Sequence, residues 1–388
     1  MQNRTNAWTE QVNVLFVDNP VGTGFSYVNN TSLLAQNNSA IADDLVSFMK
    51  GFFKKVPEFE TVPLYIFAES YGGKMAVQFA QSLKKAVEAK KITCQLAGVA
   101  LGDSWISPVD AVDSWGPFLY ATSLVDSVGL SAIAAKSKAV ADAVKAGKMD
   151  NATILWSETE ELVEKLTNNV NFYNILSPPE ASSSRHEASD LKTSTHEPHP
   201  NEISRAFGPF PTTPEPMPVP RHSFSSSHIE KLYERHVGKM TAALDKLMNG
   251  PVKDKLKIIP KNVTWGGQSA SVFEALSADF MATAVQNVES LLNNTAVKIV
   301  VYNGQLDLIV DTPGVEKWVE NLKWAGTPQW LEAPRKAMEG ADGRTAAFAK
   351  SYKNFTFYWI MDAGHMVPAD NSAIALKIMK EIVGVKGH

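Results

Sequence analysis

Apolar residues fall into two kinds of run along this chain. Val12-Asn13-Val14-Leu15-Phe16-Val17 is short, rich in β-branched side chains and closed by the turn signal Asp18-Asn19-Pro20, which predicts a buried strand. Pro63 through Phe67 predicts a second strand. Beyond it Met75, Phe79, Leu83 and Val87 recur every fourth residue with Ala76, Ala80 and Ala86 beside them, one face of an amphipathic helix, and Lys84 and Lys85 occupy polar positions near its C-terminal half. Leu96 through Leu101 predicts a third strand. Strand, helix and strand at this spacing form a βαβ unit, and hence a parallel sheet with a right-handed crossover. Lys298 through Tyr302 and Phe355 through Met361 predict a fourth and a fifth strand, and a terminal helix is expected from Ala373 to Val383.

Between the third and fourth strands the pattern changes. Residues 108 to about 175 carry helical spacing and no sheet signal, with an Ala-rich stretch at 134–144 and mixed charged and apolar positions at 158–166. Residues 177–227 hold ten of the 21 prolines, several Ser runs and His186, His196, His199 and His222. Too few apolar side chains occur there to offset the entropy of ordering the segment, so a disordered loop is expected. A His-rich metal site is the alternative, but no ligand spacing repeats. Helical pattern returns from Ile229 to about Met248. The expected organisation is an α/β core of residues 1–107 and 255–388, mostly parallel with helices on both faces, interrupted by a helical cap at 108–254. No internal repeat stands out.

Composition narrows the function. Hydrophobic residues make up 44% and charged residues 20%, and 37 Lys and Arg against 41 Asp and Glu leave a formal net charge of −4. No basic stripe favours nucleic acid, and no apolar run reaches the roughly 18 residues a membrane span needs. The single cysteine, Cys94, excludes an intrachain disulfide and leans toward a reducing compartment. The sequons lean the other way: Asn3, Asn29, Asn30, Asn37, Asn151, Asn262, Asn293 and Asn354 each begin Asn-x-Ser/Thr without an intervening Pro. As a set they favour the secretory route. The opening Met1-Gln2-Asn3-Arg4-Thr5-Asn6 is polar and is no signal peptide, so a missing N-terminal segment is expected.

The candidate chemistry lies at strand ends. Ala68-Glu69-Ser70-Tyr71-Gly72-Gly73 sits between a predicted strand and a predicted helix, the context of a nucleophile elbow, with Ala68 where the usual pattern has Gly. Small residues there, Gly72 and Gly73 above all, let strand and helix approach closely; the competing reading of Ser70 is a helix N-cap. In α/β-hydrolases the chain order is Ser, Asp or Glu, then His. Asp307 follows the fourth strand and His365 the fifth, at the carboxyl ends where sites form on parallel sheets. Of eight histidines only His365 follows a core strand. Asp311 and Asp362 compete with Asp307. In this reading Ser70 is the nucleophile and His365 the general base that later returns the proton to the leaving group. Asp307 fixes the imidazole tautomer, and the Tyr71 N–H faces the developing oxyanion. This chemistry needs no metal and no cofactor. Glu69 is unusual beside a nucleophile. Partial burial raises a carboxyl pKa, and a protonated Glu69 would donate a hydrogen bond to a substrate carboxylate, which suits a peptide's free C-terminus and an acidic working pH. The plainer reading is a brace for the elbow.

Together these motifs resemble the serine carboxypeptidase family. Asp18-Asn19-Pro20-Val21-Gly22-Thr23-Gly24-Phe25-Ser26-Tyr27 is similar to its signature after the fourth strand, Glu69 through Gly73 to its nucleophile motif, and Gly364-His365-Met366-Val367-Pro368 to its histidine motif. Gly304-Gln305-Leu306-Asp307 resembles its Gly-Asp-x-Asp, with Gln305 in place of the first Asp. Asn303 through Asp311, Ala100 through Trp105 and Leu247 through Pro251 narrow the likeness to one animal member. The resemblance implies stepwise removal of C-terminal residues in an acidic compartment, a role for Glu69 in binding the substrate carboxylate, and glycosylation in the secretory pathway. It also implies a Gly-Gly-Pro-Gly segment ahead of Asp18 that supplies a second oxyanion N–H. That segment is absent here, and losing one such donor costs about 2.7–4 kcal/mol of transition-state stabilisation. The chain as written is therefore expected to be truncated and impaired. Two further alternatives are an esterase or lipase on the same fold and a non-catalytic binding homologue.

Overall fold

The structure is a computed structural model that describes residues 4–178, 240–267 and 269–385. Its centre is a six-stranded sheet of β1 (Pro63–Glu69), β2 (Gln95–Gly102), β3 (Lys298–Gly304), β4 (Lys336–Glu339), β5 (Thr345–Tyr352) and β6 (Phe355–Ile360), in spatial order β1-β2-β3-β6-β5-β4. The first four in that order are parallel, and β5 runs antiparallel to both β6 and β4.

Side chains alternate across the parallel strands, which makes both faces apolar. Val99, Leu101, Ile299, Val301, Phe357 and Trp359 enter one cluster of buried residues. Their neighbours Ala100, Val300, Tyr302, Tyr358 and Ile360 enter another. Each face must be covered. On the first lies α2 (Gly72–Glu88), through Ala76, Val77 and Ala80. On the second lies α9 (Ser372–Val383), through Ile374, Ala375, Ile378 and Ile382. The outer side of α2 packs Phe79, Leu83 and Ala86 against Ala42, Val46, Met49 and Phe53 of α1 (Asn38–Lys55). Asn37 caps α1, its side chain accepting from the Ala40 N–H at 3.0 Å.

Between β2 and β3 run α3 (Pro108–Ala121), α4 (Ser127–Lys145), α5 (Met149–Thr167), α6 (Met240–Leu247) and α7 (Val285–Asn294). The first three match the helical pattern expected for 108–175. Trp115, Leu119, Ile133, Val140, Trp156 and Val163 join them to the sheet's first apolar cluster, and α8 (Thr312–Glu320) packs on α3. The loop at 177–227, its histidines and most of the helix expected from Ile229 lie outside the described residues. Among the described residues no helix is long and apolar enough to cross a membrane.

One expectation needs correction. The run Val12–Val17 is not a strand. Phe16 is 84% exposed and Leu15 43%, and β1 is the last strand of the sheet on that side. β-forming side chains make a strand only where a neighbouring ladder accepts them. Just ahead of the run, Trp8 stands edge-on against Phe67, ring centroids 4.9 Å apart. Conversely, β4 and β5 form a hairpin from Lys-Ala-Met-Glu and Thr-Ala-Ala-Phe-Ala-Lys-Ser-Tyr, sequences with little β-branched character. Helix α1 also carries clear apolar spacing, with Ile41, Val46, Met49 and Phe53 buried along one face.

Candidate functional site

Strand register brings the expected residues to one rim. Glu69 pairs with Gly102, Gly102 with Tyr302, and Gly304 with Ile360, so β1, β2, β3 and β6 end together at their carboxyl edges. Non-glycine residues take positive φ just past these ends: Ser70 at 56°, Asp103 at 41° and Asp362 at 56°. Such angles are costly and persist where surrounding bonds fix them. For Ser70 those bonds are explicit. Its N–H donates to Gly102 O and Asp103 O, both at 3.1 Å, and its carbonyl accepts from Trp105 N at 2.9 Å and Gly73 N at 3.0 Å. Ser70 is thus an elbow with positive φ, not an N-cap; its hydroxyl caps no helix.

The two elbow glycines differ. A Cβ on Gly73 would lie 2.3 Å from Ser104 Oγ, whereas one on Gly72 would meet only Ala68 Cβ at 3.5 Å, an ordinary contact. The latter spacing also shows why Ala68 fits where the usual pattern has Gly.

The loop after β3 and the loop after β6 are locked to each other. Gln305 N donates to Ile360 O at 2.9 Å and Leu306 N to Ala363 O at 2.8 Å. Gly304 permits this approach: a Cβ there would fall 2.1 Å from Gly364 O. A third segment, just after α5, ties both. Phe172 O accepts from Leu308 N and Ile309 N, and Tyr173 O accepts from His365 N at 2.7 Å. The Tyr173 ring stands edge-on to the imidazole, centroids 5.1 Å apart.

The result is a buried pair: Asp307 Oδ2 lies 2.8 Å from His365 Nδ1, with the carboxylate fully buried and the imidazole 2% exposed. The other Asp307 oxygen accepts from Val310 N at 3.2 Å. The rival acids are placed elsewhere. Asp311 caps α8, accepting from Gly314 N at 3.1 Å and from the Ser114 hydroxyl, and Asp362 is exposed. The Ser70 hydroxyl donates to no described group.

Glu69 is mostly enclosed. Burial pushes its carboxyl above the ordinary range, His365 opposes this, and Asp370 reinforces it. The Tyr71 N–H is engaged by no protein acceptor among the described residues. The Tyr71 side chain is pinned, its hydroxyl donating to Asp279 Oδ2 at 2.9 Å and accepting from Asn38 Nδ2 at 3.2 Å. Buried Lys74 pairs with the same carboxylate at 3.1 Å, and burial, opposed by Asp279, brings its ammonium down to about 8. Asn38, Lys74 and Asp279 were not read from the sequence, because their partners lie some 200 residues apart along it. Asp103 was also missed, although it follows β2 as Asp307 follows β3. Burial raises Asp103 strongly and lifts Asp311 to about 8.

Residues 1–384 match the profile of the serine carboxypeptidase family. The chain is 45% identical over 380 residues to the retinoid-inducible serine carboxypeptidase of Mus musculus, covering 97% of this chain and 76% of that protein. It is 37% identical over 393 residues to serine carboxypeptidase-like 51 of Arabidopsis thaliana, covering 98% and 78%. Among solved structures, Kex1(delta)p, a prohormone-processing carboxypeptidase from Saccharomyces cerevisiae, superimposes with a TM-score of 0.71 at 21% identity, covering 95% of this chain and 73% of that one. The α/β-hydrolase architecture is therefore shared.

Two outcomes follow from this packing. Gly73→Ala should destabilise the fold by roughly 1–3 kcal/mol through overpacking at Ser104, and Gly72→Ala should change it far less; urea unfolding of both variants decides, and equal losses would contradict the elbow geometry. The second concerns pH. Asp311 has a folded pKa of about 8 against an ordinary value of 3.8, so its protonated form stabilises the fold at low pH and that stability is lost as pH rises toward 8. The Tm should fall between pH 5 and pH 8, and Asp311→Asn should flatten that slope; an unchanged slope would contradict it.

Proposed function

We propose that this chain, which belongs to the serine carboxypeptidase family, releases residues one at a time from the free C-terminus of peptides. The observation that carries this reading is the buried 2.8 Å Asp307–His365 pair on the same sheet rim as the Ser70 elbow. Ser70 attacks the terminal peptide carbonyl, and His365 Nε2 takes its proton and returns it to the leaving amino group. Asp307 holds the imidazole with Nδ1 protonated and stabilises the imidazolium. The free Tyr71 N–H, at the start of α2, donates to the oxyanion. The acyl-enzyme is then hydrolysed by water.

Glu69 supplies the selectivity for a terminal carboxylate. A neutral carboxylic acid donates to a carboxylate that an ionised one would repel. Because burial holds Glu69 above the ordinary range, the donating form persists through acidic pH and is lost as pH rises through its folded pKa. Acidic working conditions follow, in keeping with a lysosomal or secreted setting. The sequons support that setting: Asn29, Asn30, Asn37, Asn151 and Asn262 are exposed. Asn293 is exposed, but its Nδ2 donates to Glu289 O and Lys323 O, both at 2.9 Å; that of Asn354 donates to Val297 O at 3.0 Å. Asn3 lies outside the described residues.

The direct assay is release of the last amino acid from an N-blocked dipeptide. Ser70→Ala and His365→Ala should lower kcat/KM by roughly 10⁴-fold or more. Glu69→Ala should raise KM for the free-acid peptide roughly tenfold or more while changing hydrolysis of a simple ester little. Glu69→Gln, a permanent donor, should keep peptide binding at neutral pH where the native protein loses it. Equal loss of ester and peptide turnover in Glu69→Ala would remove the carboxylate role and favour an esterase. For localisation, glycopeptide mapping after expression through a secretory host should find glycans at exposed sequons and bare Asn293 and Asn354; an entirely unglycosylated product would contradict it.

A further inference from the structure

Asp103 stands immediately behind the Asp307–His365 pair. Its residue is completely buried, and its backbone takes a positive φ of 41°, a conformation that Asp and Asn accept more readily than most side chains. Oδ1 accepts from the Gly304 N–H at 2.7 Å, on the loop that carries Asp307. Oδ2 is buried and faces no N–H or hydroxyl donor. One side-chain atom each from Asp103, Asp307 and His365 lie within 4.8 Å of one another. An oxygen in that position carries a proton and donates, accepts a proton held by Asp307, or remains an unpaired buried charge beside a second carboxylate.

The donors sort the two acids. Asp307 receives the Val310 N–H and faces His365 Nδ1, while Asp103 receives a single backbone N–H. Negative charge therefore resides on Asp307 and the proton on Asp103. We propose that Asp103 is a positioning residue: a neutral carboxylic acid whose Oδ2–H donates a hydrogen bond to the Asp307 carboxylate, fixing its orientation toward His365 and drawing off part of its charge.

The titratable groups facing Asp103 agree with this assignment. Burial raises Asp103 most, Asp307 raises it further, His365 opposes, and Glu69 at the end of β1 adds to the rise. Burial raises Asp307 well above the ordinary range, opposed by the Val310 N–H and the Asp103 side chain, and Tyr302 on β3, raised in turn by burial, Glu69 and Asp103, stays a neutral phenol. The functional consequence rests on the triad proposed above. A donor behind Asp307 weakens its stabilisation of the His365 imidazolium, so His365 stays neutral, and able to act as a base, to lower pH. Asp103 would then extend the enzyme into the acidic range in which Glu69 is protonated.

Asp103→Asn keeps both a donor and an acceptor, carries no charge, and suits the positive φ. The acid limb of kcat/KM should stay within about 0.3 unit of the native limb. Should Asp103 be ionised instead, Asp103→Asn removes a negative charge near His365 and the limb moves down by roughly one unit or more, which would overturn the proposal. Asp103→Ala deletes the donor and should move the acid limb up by roughly one unit; an unmoved limb would mean that the side chain only fills space. Infrared difference spectra of native protein against Asp103→Asn at neutral pH give a readout independent of catalysis and of the Ala variant's folding. A carboxylic-acid carbonyl band lost in the variant supports the proposal, and loss of a carboxylate band instead rejects it. A lost acid band in an enzyme without peptidase activity would locate the failure in the triad reading alone.

Discussion

The 2.8 Å hydrogen bond between Asp307 Oδ2 and His365 Nδ1 joins two loops that have no covalent reason to meet, and nearly every feature of the rim serves to hold them there. Both partners are out of water, so the bond is strong only if its remaining donors and acceptors are also met. Gly304 lets the two loop backbones touch, Val310 N–H occupies the second Asp307 oxygen, and Tyr173 O holds the backbone of His365. Asp103 bonds the base of the β3 loop from behind. The segment between β2 and β3 therefore does more than cover the site, since Phe172 and Tyr173 directly anchor Leu308, Ile309 and His365.

Glu69 and Ser70 reach the same rim together at the end of β1. Ser70 is placed by local strain, a positive φ fixed by backbone bonds to Gly102, Asp103 and Trp105. Glu69, one residue earlier, ends the same strand and is buried by the same turn. The site thus gathers three buried or half-buried acids around one imidazole, Glu69, Asp103 and Asp307, with Asp311 beyond them at the cap of α8. Burial raises all four. A rim with this many hidden carboxyls is more easily kept neutral in acid than in base, and the stability of the fold shares that preference.

Much of this was legible in the sequence because the signals were local. The βαβ unit at 63–102, the strands at 298–304 and 355–360 and the order Ser70, Asp307, His365 all rest on short runs and fixed motifs, and the structure brings Asp307 and His365 together as the order implied. Val12–Val17 misled because a β-rich run was judged without knowing whether a neighbour would pair with it. The β4–β5 hairpin was invisible for the opposite reason: its residues are ordinary, and pairing with β6 decides its form. The Asn38–Tyr71–Lys74–Asp279 cluster and the Gly304 N–H to Asp103 bond span about 200 residues of chain, and no window-based pattern connects such partners.

On the proposed mechanism, the reactivity of the Ser70 hydroxyl depends on the Asp307–His365 pair. Reaction with a fluorophosphonate, followed by peptide mapping of the adduct, tests it most directly when the native protein and Asp307→Asn are compared. The account predicts a single adduct on Ser70, formed on the order of 10³–10⁴-fold more slowly in the variant because the imidazole then takes the wrong tautomer. An adduct elsewhere, no adduct at all, or equal rates in the two proteins would contradict it.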